Sequence, residues 1–106
     1  MATRTLTEAD DGRDVVLHEH DAVVVRLTEN AVTGYQWTAA ASGDCVVLEE
    51  AGYAPPEAAT PGAAGVRNFR MRAAASGVCE VEFRLRRAWE TDRSPERTLR
   101  IRLRVE

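Results

Sequence analysis

Two histidines, His18 and His20, are the first side chains along the sequence that could do chemistry. They stand two positions apart, so on an extended strand they would share one face and could bind a metal ion together. A zinc site needs three or four ligands, and the intervening Glu19 would point to the opposite face. The spacing therefore favours an exposed polar edge over a metal site, and no metal is expected.

The serines and carboxylates do not form the pattern of an enzyme. Ser42, Ser76 and Ser94 each stand beside glycine or proline in a turn-like context. None has the Gly-x-Ser-x-Gly surroundings of a nucleophile elbow. No glycine-rich phosphate cradle follows a strand and opens a helix, and the carboxylates are scattered. The sequence therefore predicts a protein that is not an enzyme and uses no cofactor.

Cys45 and Cys79 are the chain's two cysteines. Cysteine is among the most buried residue types even as a free thiol, so two buried thiols filling apolar positions are the favoured interpretation. A disulfide between facing strands is the alternative, and it requires an oxidising compartment. Two cysteines without a histidine at ligand spacing do not indicate a metal site.

Arginine supplies all 14 basic residues, yet the net charge is −3. If the last two long strands pair as a hairpin, one solvent face carries five arginines: Arg84, Arg86, Arg100, Arg102 and Arg104. Such a stripe could bind nucleic acid. Glu80 and Glu82 share that face, however, and no aromatic side chains interleave. Arginine stems covering a sheet surface are the favoured explanation, and nucleic-acid binding is the minor alternative.

Composition places the chain among soluble globular domains, with 44% hydrophobic and 29% charged residues. The longest apolar runs, such as 22–25 and 45–48, are far too short for a membrane helix. We expect one domain over residues 1–106, a monomer when free, with neither nucleic acid nor membrane as partner. The N-terminus shows no apolar signal core, which predicts a cytoplasmic protein, or a secreted or periplasmic one if a signal was removed.

Alternation of apolar and polar residues with a period of two dominates the chain. The clearest run, residues 99–105, places leucine, isoleucine and valine between arginines. Similar alternating runs cover 23–27, 69–73 and 79–86, and shorter candidate strands cover 13–18, 35–38 and 45–49. Turn signals such as Ser42-Gly43, Ala51-Gly52 and Ser76-Gly77 separate them, and no window has the helical period. The pattern predicts an all-β, immunoglobulin-like two-sheet sandwich of about seven strands.

Three connections between these strands depart from simple turns. Gly34 ends the first connection and supplies a backbone angle that other residues resist. The second, residues 54–65, is a long loop with three prolines and two glycines, and loops of this length are usually functional or disordered. In the third, Trp89 follows the point where the alternation of its strand has ended, so burial in the core does not explain it.

The same connections carry a family resemblance. Asn30-Ala31-Val32-Thr33-Gly34-Tyr35-Gln36-Trp37 resembles the Asn-Pro-Thr-Thr-Gly-Tyr/Phe-x-Trp signature of the chagasin family, protein inhibitors of papain-like cysteine proteases. Gly62-Ala63-Ala64-Gly65 resembles the Gly-x-Gly-Gly-like motif of that family's second loop, and Arg87-Ala88-Trp89 resembles the Arg-Pro-Trp of its third. The resemblance extends from about Gly12 to Glu106.

This resemblance implies a reversible inhibitor of papain-like cysteine proteases whose three loops gather at one end of the sandwich and enter the protease cleft. Residues 30–34 would lie over the catalytic centre. Residues 62–65 would pack along one wall, and Trp89, placed by Arg87, would anchor the other.

The sequence also departs from the family signature, because Ala31 and Ala88 replace prolines and Val32 replaces a threonine. These changes predict a weaker or differently targeted inhibitor than relatives with the full signature. They also keep open an alternative: an immunoglobulin-like interaction module with a non-protease partner.

Overall fold

The computed structural model describes residues 2–30, 33–56, 64–87, 89 and 95–106. The regular elements within these ranges are a 3-10 turn (Glu8–Asp10) and eight strands. The eight strands are β1 (Thr3–Leu6), β2 (Asp14–Leu17), β3 (Ala22–Glu29), β4 (Tyr35–Ser42), β5 (Val46–Ala54), β6 (Gly65–Ala73), β7 (Gly77–Arg87) and β8 (Arg97–Val105).

The strands form two four-stranded sheets, one with the order β1-β3-β6-β5 and the other with the order β2-β8-β7-β4. β1 pairs with β3 and β2 pairs with β8 in parallel, and the other neighbours are antiparallel. The predicted two-sheet sandwich is confirmed. The strand beyond the predicted seven is β1, in which only Leu6 is buried, so its sequence carries no alternation.

The core lies between the two sheets, where the apolar faces of the strands meet. In β8, Leu99, Ile101, Leu103 and Val105 are all buried, as the alternation predicts, and their arginine neighbours are exposed. Phe69 of β6 contacts Phe83 of β7 across the core, with the ring centroids 5.4 Å apart. Burying one such side chain stabilises the fold by about 1.5–3 kcal/mol. The core therefore holds the two sheets together as the scaffold from which the loops project.

The two cysteines are bonded to each other, so the interpretation as free thiols is wrong. Cys45 immediately precedes β5 and Cys79 lies in β7, and the disulfide therefore joins the two sheets, with the Cα atoms 6.0 Å apart. It lies close to the turns at Gly43 and Gly77. Periodicity predicts burial of both side chains but cannot show that they face each other from opposite sheets.

Replacing both cysteines by alanine should lower the free energy of unfolding by about 4 kcal/mol, because the bond closes a 34-residue segment of the chain. Urea denaturation of the double variant and the wild type measures this difference. A loss below about 1 kcal/mol would show that the crosslink contributes little to stability.

The arginine face on β7 and β8 is laced with glutamates. The antiparallel register places Glu82 opposite Arg100 and Glu80 opposite Arg102. Glu82 accepts hydrogen bonds from Arg84 and, at 2.9 Å, from Arg100, and these two bonds hold its pKa below the usual range. This pairing supports the interpretation that the arginines cover the sheet surface and are partly neutralised by the glutamates beside them, rather than forming a nucleic-acid-binding stripe.

The histidine pair does not lie on a strand face. His18 follows β2, and His20 occupies an exposed turn with a φ of 74°. Within the described ranges, no group of three or more histidine, cysteine or acidic side chains could hold a metal ion. The same residues include no helix long and apolar enough to cross a membrane.

Candidate functional site

Three connections start and finish at one end of the sandwich. Loop 1 (residues 30–34) joins β3 to β4, loop 2 (residues 55–64) joins β5 to β6, and loop 3 (residues 88–96) joins β7 to β8. The register places Glu29 beside Gly65 in one sheet and Tyr35 beside Arg87 in the other. Because loop 1 crosses from one sheet to the other, its first end lies beside the end of loop 2 and its last end lies beside the start of loop 3. We call this end of the molecule the loop edge.

Hydrogen bonds connect the described residues of loop 1 to each other and to the start of β4. The backbone N–H of Thr33 donates to the carbonyl of Asn30 at 3.2 Å, and the Thr33 hydroxyl donates to the same oxygen at 2.8 Å. The N–H of Tyr35 then donates to the Thr33 hydroxyl at 3.3 Å. Gly34 has a φ of 79°, in the left-handed region that favours glycine. Thr33 and Gly34 thus set the backbone geometry where loop 1 enters β4.

Loop 3 leans on loop 1 through an exposed tryptophan. The Trp89 side chain is 70% exposed, so the prediction that it lies outside the core is confirmed. A Cβ atom on Gly34 would lie 2.7 Å from Cη2 of Trp89, too close for any real contact. The indole therefore packs directly on the glycine backbone and leaves its remaining surface to solvent.

Arg87 connects the same two loops. Its Nε donates to the Thr33 carbonyl at 3.1 Å, and its guanidinium carbon lies 4.4 Å from the ring centroid of Tyr35 and 5.9 Å from that of Trp89. A guanidinium at these distances is attracted to aromatic ring faces. Arg87 thereby contacts both loop 1 and the tryptophan of loop 3.

The base of loop 2 is packed without space for a side chain. A Cβ on Gly65 would lie 2.3 Å from the carbonyl oxygen of Ala54 and 2.5 Å from the hydroxyl of Tyr53. Gly65 is buried and Ala64 is exposed. The glycine therefore allows close approach of the protein's own Tyr53, a reason the sequence did not suggest.

An ion pair between the buried Glu29 and the partly exposed Arg67 lies beneath the loops, and sequence reasoning missed it. Glu29 is 3% exposed and accepts hydrogen bonds from the guanidinium of Arg67, the shortest at 2.6 Å. This bond raises the pKa of Arg67 above its usual value. The available signal was that Glu29 continues the inward-facing positions of β3 after Val23, Val25 and Leu27.

The predicted site residues fall into two groups. Those that the structure places at the loop edge are Asn30, Thr33, Gly34, Ala64, Gly65, Arg87 and Trp89. Those that lie outside the described residues are Ala31, Val32, Gly62, Ala63 and Ala88.

A rigid sandwich that presents connected loops and an exposed aromatic side chain at one end defines a protein-binding domain. The sequence matches the profile described as Chagasin family peptidase inhibitor I42 over residues 16–103. The chain belongs to the chagasin family of peptidase inhibitors. Proteins of this family inhibit cysteine proteases and are not enzymes. No curated protein matches the chain.

Solved structures share the fold over nearly the whole chain. The cysteine protease inhibitor EhICP2 from Entamoeba histolytica superposes with a TM-score of 0.89 at 23% identity, covering 100% of this chain and 97% of that one. The solution structure of Amebosin superposes with a TM-score of 0.78 at 19% identity, covering 100% of this chain and 99% of that one. PbICP-C, solved in complex with falcipain-2, superposes with a TM-score of 0.66 at 15% identity, covering 98% of this chain and 89% of that one.

Proposed function

We propose that the protein is a reversible, competitive inhibitor of papain-like cysteine proteases and that it inserts the loop edge into the active-site cleft. The observation that carries this proposal is the exposed Trp89 indole, packed on Gly34 and fixed by Arg87 where three loops meet. Membership of the chagasin family supports it, and so does the structural neighbour whose partner is falcipain-2.

In this proposal loop 1 lies over the catalytic cysteine and histidine of the protease. Residues 62–64 pack along one wall of the cleft and Trp89 anchors the other, while the buried Gly65 supports the base of loop 2. The inhibitor needs no reactive group of its own, because it blocks substrate access sterically. Loop 1 survives because it does not present a scissile peptide bond in the geometry of attack.

The energetics of the loop edge suit such a role. Tryptophan and arginine are the residue types that most often carry the binding energy of an interface. Loops held in place before binding lose less conformational entropy when the complex forms. A standard inhibitor interface buries about 1,600 Å² in total, about half of it on each partner.

A titration against papain tests the proposal. The purified domain should inhibit cleavage of a fluorogenic peptide at micromolar concentration or below, and rising substrate concentration should relieve the inhibition. Trypsin, which has a serine nucleophile, should be unaffected. If papain is not inhibited, the proposal fails for that enzyme, and a non-protease partner recovered by pull-down would favour the interaction-module alternative.

Restoring the family prolines should strengthen inhibition. The double variant Ala31→Pro with Ala88→Pro is expected to bind papain up to about thirtyfold more tightly, because each compatible proline gains about 0.4–1 kcal/mol by restricting the free chain. Inhibition constants of wild type and variant measure this gain. A nanomolar inhibition constant for the wild type, with no gain in the variant, would contradict it.

A further inference from the structure

Glu29 is a carboxylate in an interior position, and carboxylates are rarely buried unless they are paired. It is the last residue of β3, and loop 1 begins at the next residue. Its side chain is only 1% exposed. Glu29 therefore lies directly beneath the loop edge, where a charged side chain occupies an inward-facing position of β3.

The Glu29 carboxylate joins three strands. Oε1 accepts the backbone N–H of Trp37 in β4 at 2.7 Å. Arg67 in β6 donates from Nε to both carboxylate oxygens at 3.2 Å and from Nη2 to Oε2 at 2.6 Å. Through these bonds both strands that flank loop 1 are tied to the strand that follows loop 2. The indole N–H of Trp37 adds a bond to the Thr28 carbonyl at 2.9 Å.

Tyr53 extends the connection to the strand that precedes loop 2. Its hydroxyl donates to the backbone carbonyl of Glu29 at 3.3 Å, and the Arg67 guanidinium carbon lies 5.1 Å from its ring centroid. The tyrosine can cross here because Gly65 has no Cβ. All four strand ends that flank loops 1 and 2 thus meet at the carboxylate and guanidinium.

We propose that Glu29 and Arg67 are positioning residues that fix the spacing between loop 1 and loop 2 in the free protein. This inference rests on the proposed function, in which both loops enter one cleft. Neither side chain contacts the protease. Their effect is to keep the loops in the arrangement that binds.

The physical chemistry of buried ion pairs supports a geometric role. Desolvating two charges costs so much that a well-packed apolar replacement is often equally stable. The bidentate guanidinium and carboxylate, by contrast, allow one mutual orientation. If the pair is lost and the competent arrangement becomes less populated, the apparent affinity falls in proportion to that population.

The double variant Glu29→Gln with Arg67→Met separates positioning from stability. Glutamine retains an oxygen for the Trp37 N–H, methionine fills the volume of the arginine stem, and no charge is left unpaired in the interior. We expect a folded protein whose association rate with papain is about tenfold lower and whose dissociation rate is within about twofold of wild type. Loss of a contact residue such as Trp89 should instead raise mainly the dissociation rate.

Amide hydrogen exchange of the free protein gives a second readout that does not need a protease. Exchange at Thr33, Gly34 and Gly65 should be faster in the double variant than in wild type. This readout remains decisive if papain is not inhibited at all, so failure of the proposed function and failure of this inference are distinguishable.

The matched control is the exposed ion pair between β5 and β6. Arg72 Nε lies 3.3 Å from a carboxylate oxygen of Glu49, and both side chains are more than a third exposed. Glu49→Gln with Arg72→Met should change neither the association rate nor the exchange of the loop amides. If the loop amides of Glu29→Gln with Arg67→Met exchange no faster than those of this control, the inference is overturned.

Discussion

Replacing Trp89 with alanine is expected to weaken inhibition of papain by about 30- to 1,000-fold while leaving the free energy of unfolding nearly unchanged. The indole is 70% exposed in the free protein, so little of the fold depends on it. Truncating an aromatic anchor of an interface costs about 2–4 kcal/mol of binding free energy, which gives this range. The two effects together distinguish a binding residue from a packing residue.

Val78 offers the matched control for this experiment, because it is 55% exposed and lies at the start of β7, at the end of the strand remote from loop 3. Val78→Ala also removes an exposed apolar side chain and should leave the inhibition constant unchanged. Both variants would be measured by inhibition of papain and by urea denaturation. A Trp89→Ala protein that inhibits as well as Val78→Ala would remove the tryptophan from the interface.

Gly34→Ala is expected to have the second largest effect on inhibition of papain, after Trp89→Ala. Its Cβ would lie 2.7 Å from Cη2 of Trp89, so the indole must move, and the positive φ adds a left-handed conformation that costs alanine about 1–2 kcal/mol. We expect about 1–3 kcal/mol of lost stability and about 10- to 100-fold weaker inhibition, because the change disturbs loop 1 and the anchor together.

Gly12 separates the effect of the positive φ from the effect of the contact with Trp89. Its φ is 81°, close to that of Gly34, but a Cβ there would meet nothing within 4 Å. Gly12→Ala therefore carries the same backbone penalty without displacing a side chain. It should lose comparable backbone stability and retain full inhibition of papain. Equal inhibition by Gly12→Ala and Gly34→Ala would show that contact between the glycine and the tryptophan does not matter for binding.

The sandwich was predictable because its strands alternate strictly where one face is buried. β8 is the clearest example, with four buried apolar residues between exposed arginines. β5 shows where this reasoning fails: it runs to Ala54, whereas the sequence predicts a short strand that ends at residue 49 and a turn at Ala51-Gly52. β5 is an edge strand with a register shift between Leu48 and Glu50, which breaks the period of two.

The candidate site was predictable only where a single local segment determines the geometry. Gly34 and Trp89 stand out because one needs a left-handed angle and the other follows the end of an alternating strand. The Glu29–Arg67 pair depends on which strands are neighbours and on their register, and residue types alone do not determine either. The disulfide between Cys45 and Cys79 has the same origin, since it joins residues of different sheets.

The most direct test of the central claim is the rate at which iodoacetamide alkylates the catalytic cysteine of papain in the presence of this protein. If the loop edge fills the cleft, saturating protein should protect that cysteine, and the same concentration of Trp89→Ala should protect it far less. A cysteine that reacts at the same rate with and without wild-type protein would contradict the account.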